Sequence, residues 1–142
     1  MLLALNQAKK AMDLGEVPIG AVIVKDGEVV AQAHNLTESL KDPTAHAEIL
    51  AMRSASQRLG DFRLTGCELY VTLEPCPMCA GGAINARLSE IVFGAPDPAK
   101  GALESVTNLY SFGFPNKPLV YGSVMEKECL ELLKEFFKEK RK

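Results

Sequence analysis

CELYVTLEPCPMCAGGAINARLSEIVFG, residues 67–94, reads as strand, helix and strand in succession. Cys67 to Thr72 places Leu69 and Val71 on one face, the two-residue period of a strand. A helix starts at Pro77, because proline's fixed φ and missing N–H suit the first helical position. Residues 89–93 form a second apolar strand that ends at Gly94. Outward from this stretch, residues 19–25 and 28–34 read as two strands around Asp26-Gly27, a pair suited to a tight hairpin turn. Leu2, Leu5, Ala8 and Met12 recur at helical spacing over residues 2–14, and Gly15 ends that helix. Residues 46–58 read as a helix opened by the Asp42-Pro43-Thr44 turn and closed near Gly60. A short helix is expected over 103–110 and a fifth strand over Leu119 to Tyr121. A last amphipathic helix over 126–139 turns Leu130, Leu133, Phe136 and Phe137 inward. The expected class is α/β: a three-layer α/β/α arrangement with a central five-stranded mixed sheet and helices on both faces.

The chain has 142 residues, 47% hydrophobic and 24% charged, with a net charge of -2. That length predicts a single domain over residues 1–142. The composition excludes a disordered chain, and no apolar run is long enough to span a membrane. Met1 to Leu5 is apolar but short, and Asn6 and Gln7 interrupt it, so it is a poor signal peptide. A cytoplasmic protein is expected. The charge is uneven: residues 134–142 carry net +3 and the rest net −5. The basic end suits a helix C-terminus, and it also suits a local phosphate-contacting patch.

Of four cysteines, Cys76 and Cys79 form a C-x-x-C pair. In a cytosolic chain such a pair means metal or redox chemistry. A second segment, Pro43-Thr44-Ala45-His46-Ala47-Glu48, also lies where the chain enters a helix. Two helix N-termini that converge would favour thiolates through their positive dipole ends. His46, Cys76 and Cys79 make three ligands and leave a fourth tetrahedral position for water, the pattern of a catalytic zinc. A structural site would want a fourth ligand, and His34, Cys67 and Cys129 lack suitable spacing. Glu48 in the first turn is either a favourable acid at a helix start or the group that moves protons for a metal-activated water.

His46-Ala47-Glu48 followed by Pro75-Cys76-Pro77-Met78-Cys79 is the H-x-E…P-C-x-x-C pattern of the zinc deaminases. The chain resembles the cytidine deaminase-like superfamily, and within it the bacterial tRNA adenosine deaminases. Gly15 to Ala21, Ala33-His34-Asn35, Pro43 to Glu48, Leu69 to Cys76, Ile91 to Ala95 and Phe136-Phe137-Lys138 carry the likeness over nearly the whole chain. The resemblance implies one Zn2+ per subunit on His46, Cys76 and Cys79, with Glu48 as proton shuttle. It implies hydrolysis of adenosine to inosine at the wobble position of a tRNA anticodon, and a homodimer whose two subunits touch the RNA. Asn35 matches a nucleoside-contacting position. Its strand face, shared with Val29, Ala31 and Ala33, agrees with that role. The Ala47 backbone is expected near the base, and Val17 and Pro18 are expected to line the pocket or to form a plain turn. Gly81 and Gly82 inside a helix suggest close packing behind the metal or a subunit contact. The chain departs from its relatives at Phe114-Pro115-Asn116, where an Asn-His pair is common, and at Ala102-Leu103-Glu104-Ser105, where many are rich in Gly and Ser. Deamination of a free base or nucleoside (guanine, cytosine or cytidine) is the competing reading. A zinc-binding module without activity and a thiol redox protein are the readings from other classes.

Overall fold

The computed structural model describes residues 1–140. Helix α1 (Leu2–Asp13) leads into strands β1 (Gly20–Lys25) and β2 (Glu28–His34), then a single turn α2 (Thr37–Leu40) and helix α3 (Ala47–Leu59). Strand β3 (Cys67–Leu73), helix α4 (Pro77–Asn85) and strand β4 (Glu90–Ala95) follow. A 3-10 turn (Leu109–Ser111), strand β5 (Leu119–Tyr121) and helix α5 (Glu126–Lys140) are the last elements among the described residues. The five strands form one sheet in the order β2-β1-β3-β4-β5. β1 runs antiparallel to β2 and β3, while β3, β4 and β5 are parallel. The expected three layers and mixed sheet are therefore present.

The layers follow from alternation along the strands. Ala21, Ile23, Leu69, Val71, Ile91 and Phe93 project to one face, where they meet Ala47, Ala51 and Ala55 of α3 and Ala80 and Ala83 of α4. Alanines on both helices let them lie close to the sheet and to each other. The opposite face receives α1 and α5, which also touch one another. Gly20 is where α1 crosses β1: a Cβ there would overlap Ala4 O and sit 2.6 Å from Ala8 N.

Three local expectations are corrected and one element is added. Residues 103–108 do not form a helix, because the amides of Leu103, Glu104 and Ser105 point instead at the Glu74 carboxylate, and only Leu109–Ser111 coils. The turn α2 is additional; its amides at Glu38 and Ser39 are held by Glu16, more than twenty residues away. Val29 does not share a face with Ala31 and Ala33. The register slips so that Val24 pairs with Val29 while Ile23 pairs with Ala31, which makes Val30 an extra residue. Arg58 Nη1 donates to the Val29 and Val30 carbonyls at 3.2 and 3.0 Å beside this slip. Finally, Phe137 is 47% exposed and of the inward four only Phe136 is buried, because Leu130, Leu133 and Phe137 border an open cleft rather than packing wholly against the sheet.

Gly20→Ala forces backbone atoms of α1 apart rather than a flexible side chain, so it is expected to cost about 3 kcal/mol. Thermal unfolding should show a midpoint lowered by roughly 10 °C.

Candidate active site

His46 and Cys76 occupy equivalent places. Each is the residue just before a helix, α3 and α4 respectively, with extended backbone (φ -72, ψ 149 and φ -76, ψ 174). Pro77 starts α4 cleanly, and the donated His46 N–H to Thr44 O, 2.8 Å, sets the entry to α3. In a helix start, the cap side chain and the side chain three residues on lie together. That brings the Cys76 and Cys79 sulfurs onto one side of α4. The two starts meet: His46 Nδ1 lies 3.5 Å from Cys76 Sγ and 3.4 Å from Cys79 Sγ. All three ligand atoms fall within 4.8 Å of one another.

These separations suit a metal. Bonds of ~2.3 Å to sulfur and ~2.0 Å to nitrogen at tetrahedral angles put the S···N edge at about 3.5 Å. The electrostatics agree. Cys76 is held down to about 4, first by the Cys79 thiol that donates to it and then by His46, against the upward push of burial. Cys79, as the donor in a buried place, is pushed up. His46 is raised by its contact with Cys76, which outweighs burial. One thiolate therefore forms readily between two helix N-termini, whose dipoles favour it. Glu48, in the first turn of α3, is 4% exposed, and burial raises its carboxyl above the ordinary range.

A cleft of about 500 Å³ opens over this cluster. It lies at the sheet edge where β2, β3 and β4 end and β1 begins, the usual ligand site of such sheets. His46, Cys76 and Glu48 form part of its lining, with Val17 and Ile19 before β1, Asn35 and Thr37 after β2, and Leu73 and Glu74 at the end of β3. Pro96 to Lys100 close one side, and Leu130, Leu133 and Phe137 of α5 another.

The sequence matches the MafB19-like deaminase family over residues 1–141. It is 48% identical over 138 residues to the tRNA-specific adenosine deaminase of Aquifex aeolicus, across 97% of this chain and 91% of that one. It is 49% identical over 140 residues to the protein of the same name from Bacillus subtilis, across 98% and 87%. A solved structure from work on A-to-I editing by tRNA:A34 deaminases at the wobble position superposes with a TM-score of 0.91. It is 48% identical and covers 94% of this chain and 97% of that one. This chain belongs to the tRNA-specific adenosine deaminases.

In this deaminase the expected substrate residues divide. Asn35 is 4% exposed and faces the cleft, and Val17 lines it too. Asn35 Oδ1 accepts from Thr37 N at 3.4 Å, and its backbone N–H donates to Ile19 O at 3.1 Å, which ties the end of β2 to α2 and to the residue before β1. Pro18 and Ala47 are fully buried and lie behind the lining. Cys67 and Cys129 are buried away from the cluster. Gly82 packs against Met52 and Ile49 of α3, whereas a Cβ on Gly81 would meet nothing within 4 Å.

Sequence reasoning overlooked the walls. Leu130, Leu133 and Phe137 stand three and four apart on α5, and that stripe reads as core until the helix is seen beside the cleft. Glu16 was visible only as part of a matched segment. It is fully buried and accepts from Glu38 N at 3.1 Å and Ser39 N at 2.6 Å, which holds α2 beside Asn35. Burial alone would raise Glu16, but hydrogen bonds from Ser39 and Glu38 outweigh it, and its carboxyl lies below the ordinary 4.5. A lowered folded value means the stabilisation is complete above the ordinary value and is lost as pH falls through the lowered one. Hydrogen-exchange protection at Glu38 and Ser39 should therefore fade on acidification before that of α3. Glu16→Gln should show the loss already at about pH 6, with no further acid step.

Proposed function

We propose that this chain is a zinc-dependent hydrolase that converts adenosine to inosine at the wobble position of a tRNA anticodon and releases ammonia. The observation that carries the reading is the two-sulfur, one-nitrogen cluster beneath the cleft, reached through His46 and Cys76, with a buried carboxylate beside it. The identity to named tRNA adenosine deaminases supports the substrate. His46 Nδ1 and the Cys76 and Cys79 sulfurs hold the ion. Zinc bound there supplies a Lewis acid that makes water a usable nucleophile near neutral pH.

Glu48 takes the proton of the water that adds to C6 and returns it to the departing N6 amine. Its raised carboxyl pKa suits both transfers, because it brings the group nearer to working pH. Asn35 and Val17 bind the base at the cleft rim, while Ala47 and Pro18 shape the cleft from behind. Exclusion of water by Leu130, Leu133 and Phe137 strengthens every polar contact inside.

The enzyme acts as a cytoplasmic homodimer formed across the α3/α4 side. An apolar groove of about 400 Å³ there includes Ile49, Met52, Phe62 and Gly82, and Phe62 is 58% exposed. Among the described residues, no helix is long and apolar enough to cross a membrane. Lys134, Lys138 and Lys140 on α5 are exposed and meet flanking phosphates. Arg141 and Lys142, which complete the basic end, lie outside the described residues.

An anticodon stem-loop with adenosine at the wobble position should yield inosine. Glu48→Ala should lower kcat by about 10³ while zinc stays near one per chain. Ammonia from free guanine or cytidine, with none from the RNA, would replace this reading by a free-base deaminase. Retained activity in Glu48→Ala would remove the proton shuttle. Deleting residues 138–142 should weaken RNA binding and flatten its dependence on salt, as filter binding at several ionic strengths would read.

A further inference from the structure

One buried side chain holds a whole wall of the cleft. Glu74 follows β3, two residues before Cys76, and is 2% exposed. Asp97 N donates to its Oε1 at 3.0 Å. Leu103 N, Glu104 N and Ser105 N donate to its Oε2 at 3.1, 2.8 and 2.9 Å. The Ser105 hydroxyl donates to Oε1. Three successive N–H groups turned on one anion form a nest, the device by which loops cradle phosphate. Here the anion is built into the chain. Gly101 backs onto it, since a Cβ there would overlap the Glu74 carboxylate. Ala102 N donates to Pro75 O at 2.9 Å, which sews the same loop to the residue before Cys76. Between the anchors at Asp97 and Gly101 hang the residues that face the cleft, Lys100 among them.

We infer that Glu74 is a positioning residue for substrate binding, which fixes the 96–105 loop so that its cleft-facing part meets the nucleic acid in one arrangement beside His46 and Glu48. Its oxygens are occupied by five donors, so it neither touches substrate nor moves a proton. It sets one distance: that between the segment carrying the sulfurs and the wall across which the polynucleotide lies. A displacement of about 1 Å there is enough to cost 10²-fold in binding or rate. A purely structural role would lower the unfolding temperature and leave the KM of the folded enzyme alone.

The kinetic side rests on the RNA deaminase reading; the exchange side does not. Glu74→Gln places an amide NH2 against backbone N–H donors. With anticodon stem-loop RNA its KM should rise by about 10- to 100-fold, with kcat within about threefold of wild type and zinc content unchanged. Glu74→Asp, which keeps the charge, should recover part of the loss. Hydrogen exchange at Asp97 and residues 99–105 should accelerate by at least about tenfold while α3 and α4 stay protected. Ser105→Ala adds no bulk at an exposed residue and serves where Glu74→Gln does not fold. It should raise KM by about threefold and speed exchange at 103–105. A KM within twofold of wild type in a folded variant overturns the inference, as does unchanged exchange in the loop. If wild type leaves the RNA untouched, the deaminase reading fails, and the exchange rates alone decide whether Glu74 fixes the loop.

Discussion

Helices α3 and α4 begin at nearly the same point, and two positive dipole ends there repel unless something anionic lies between them. The His46 side chain makes no cap bond to its own helix, and the Cys76 sulfur is held both by Cys79, three residues on in α4, and by His46 across the gap. Both side chains also face the start of the other helix, 3.5 Å apart. Sulfur supplies the missing negative charge: the Cys79 thiol first, and then His46, hold Cys76 down to about 4 against burial. The sequence around the meeting point keeps it tight. Alanines at 47, 51, 55, 80 and 83 remove bulk between the helices and the sheet, and Gly82 lets Met52 and Ile49 approach. The Tyr110 hydroxyl donates to Ala80 O at 2.7 Å, which fixes α4 from its far side.

The two rims of the cleft follow one chemical rule. Each is a piece of chain too short to hold its own shape: a four-residue helix on one side and an irregular loop on the other. A helix of one turn has no stability alone, because its nucleus costs more than its single layer of hydrogen bonds returns. Each is given shape by a buried carboxylate from elsewhere, Glu16 for α2 and Glu74 for the 96–105 loop. Backbone amides are numerous and directional, so one anion orders several residues at once. Both carboxylates stay below their ordinary range despite burial, since those amides outweigh the loss of solvent.

Local pattern therefore made some of this molecule legible and hid the rest. Asp26-Gly27, Pro77 and the alternation around Leu69 and Val71 act within a few residues, and the strands and main helices appear where those signals lie. The pairing of Cys76 with Cys79 was legible because helix starts constrain side-chain direction, so that their spacing brings the two sulfurs to one side. The turn α2, the uncoiled stretch 103–108 and the slip at Val30 were hidden, because each depends on a partner far along the chain. Phe137 shows the same limit from the other side. An amphipathic pattern reports that a face is apolar, not whether it meets a sheet or borders a cleft.

Those hidden partners also bear on how a chain of net charge -2 accepts a polyanion. Charges separated by more than about 8–10 Å are screened at physiological salt, so the near field decides. Of the carboxylates along the cleft, Glu74 is wrapped in N–H donors, and Asp97 Oδ1 accepts from Ala99 N and Lys100 N at 3.0 and 3.3 Å. Glu48 lies in a place that favours its neutral form. Each acidic group is thereby partly cancelled where a phosphate would pass. Among the described residues that line the cleft, Lys100 brings a positive charge, and the helix N-termini near it add positive potential. The negative body charge sits elsewhere on the surface, including Glu128, Glu131 and Glu135 along the groove between α1 and α5. Such a division orients an incoming strand as well as tolerating it: repulsion from the acidic side and attraction at the cleft point the same way.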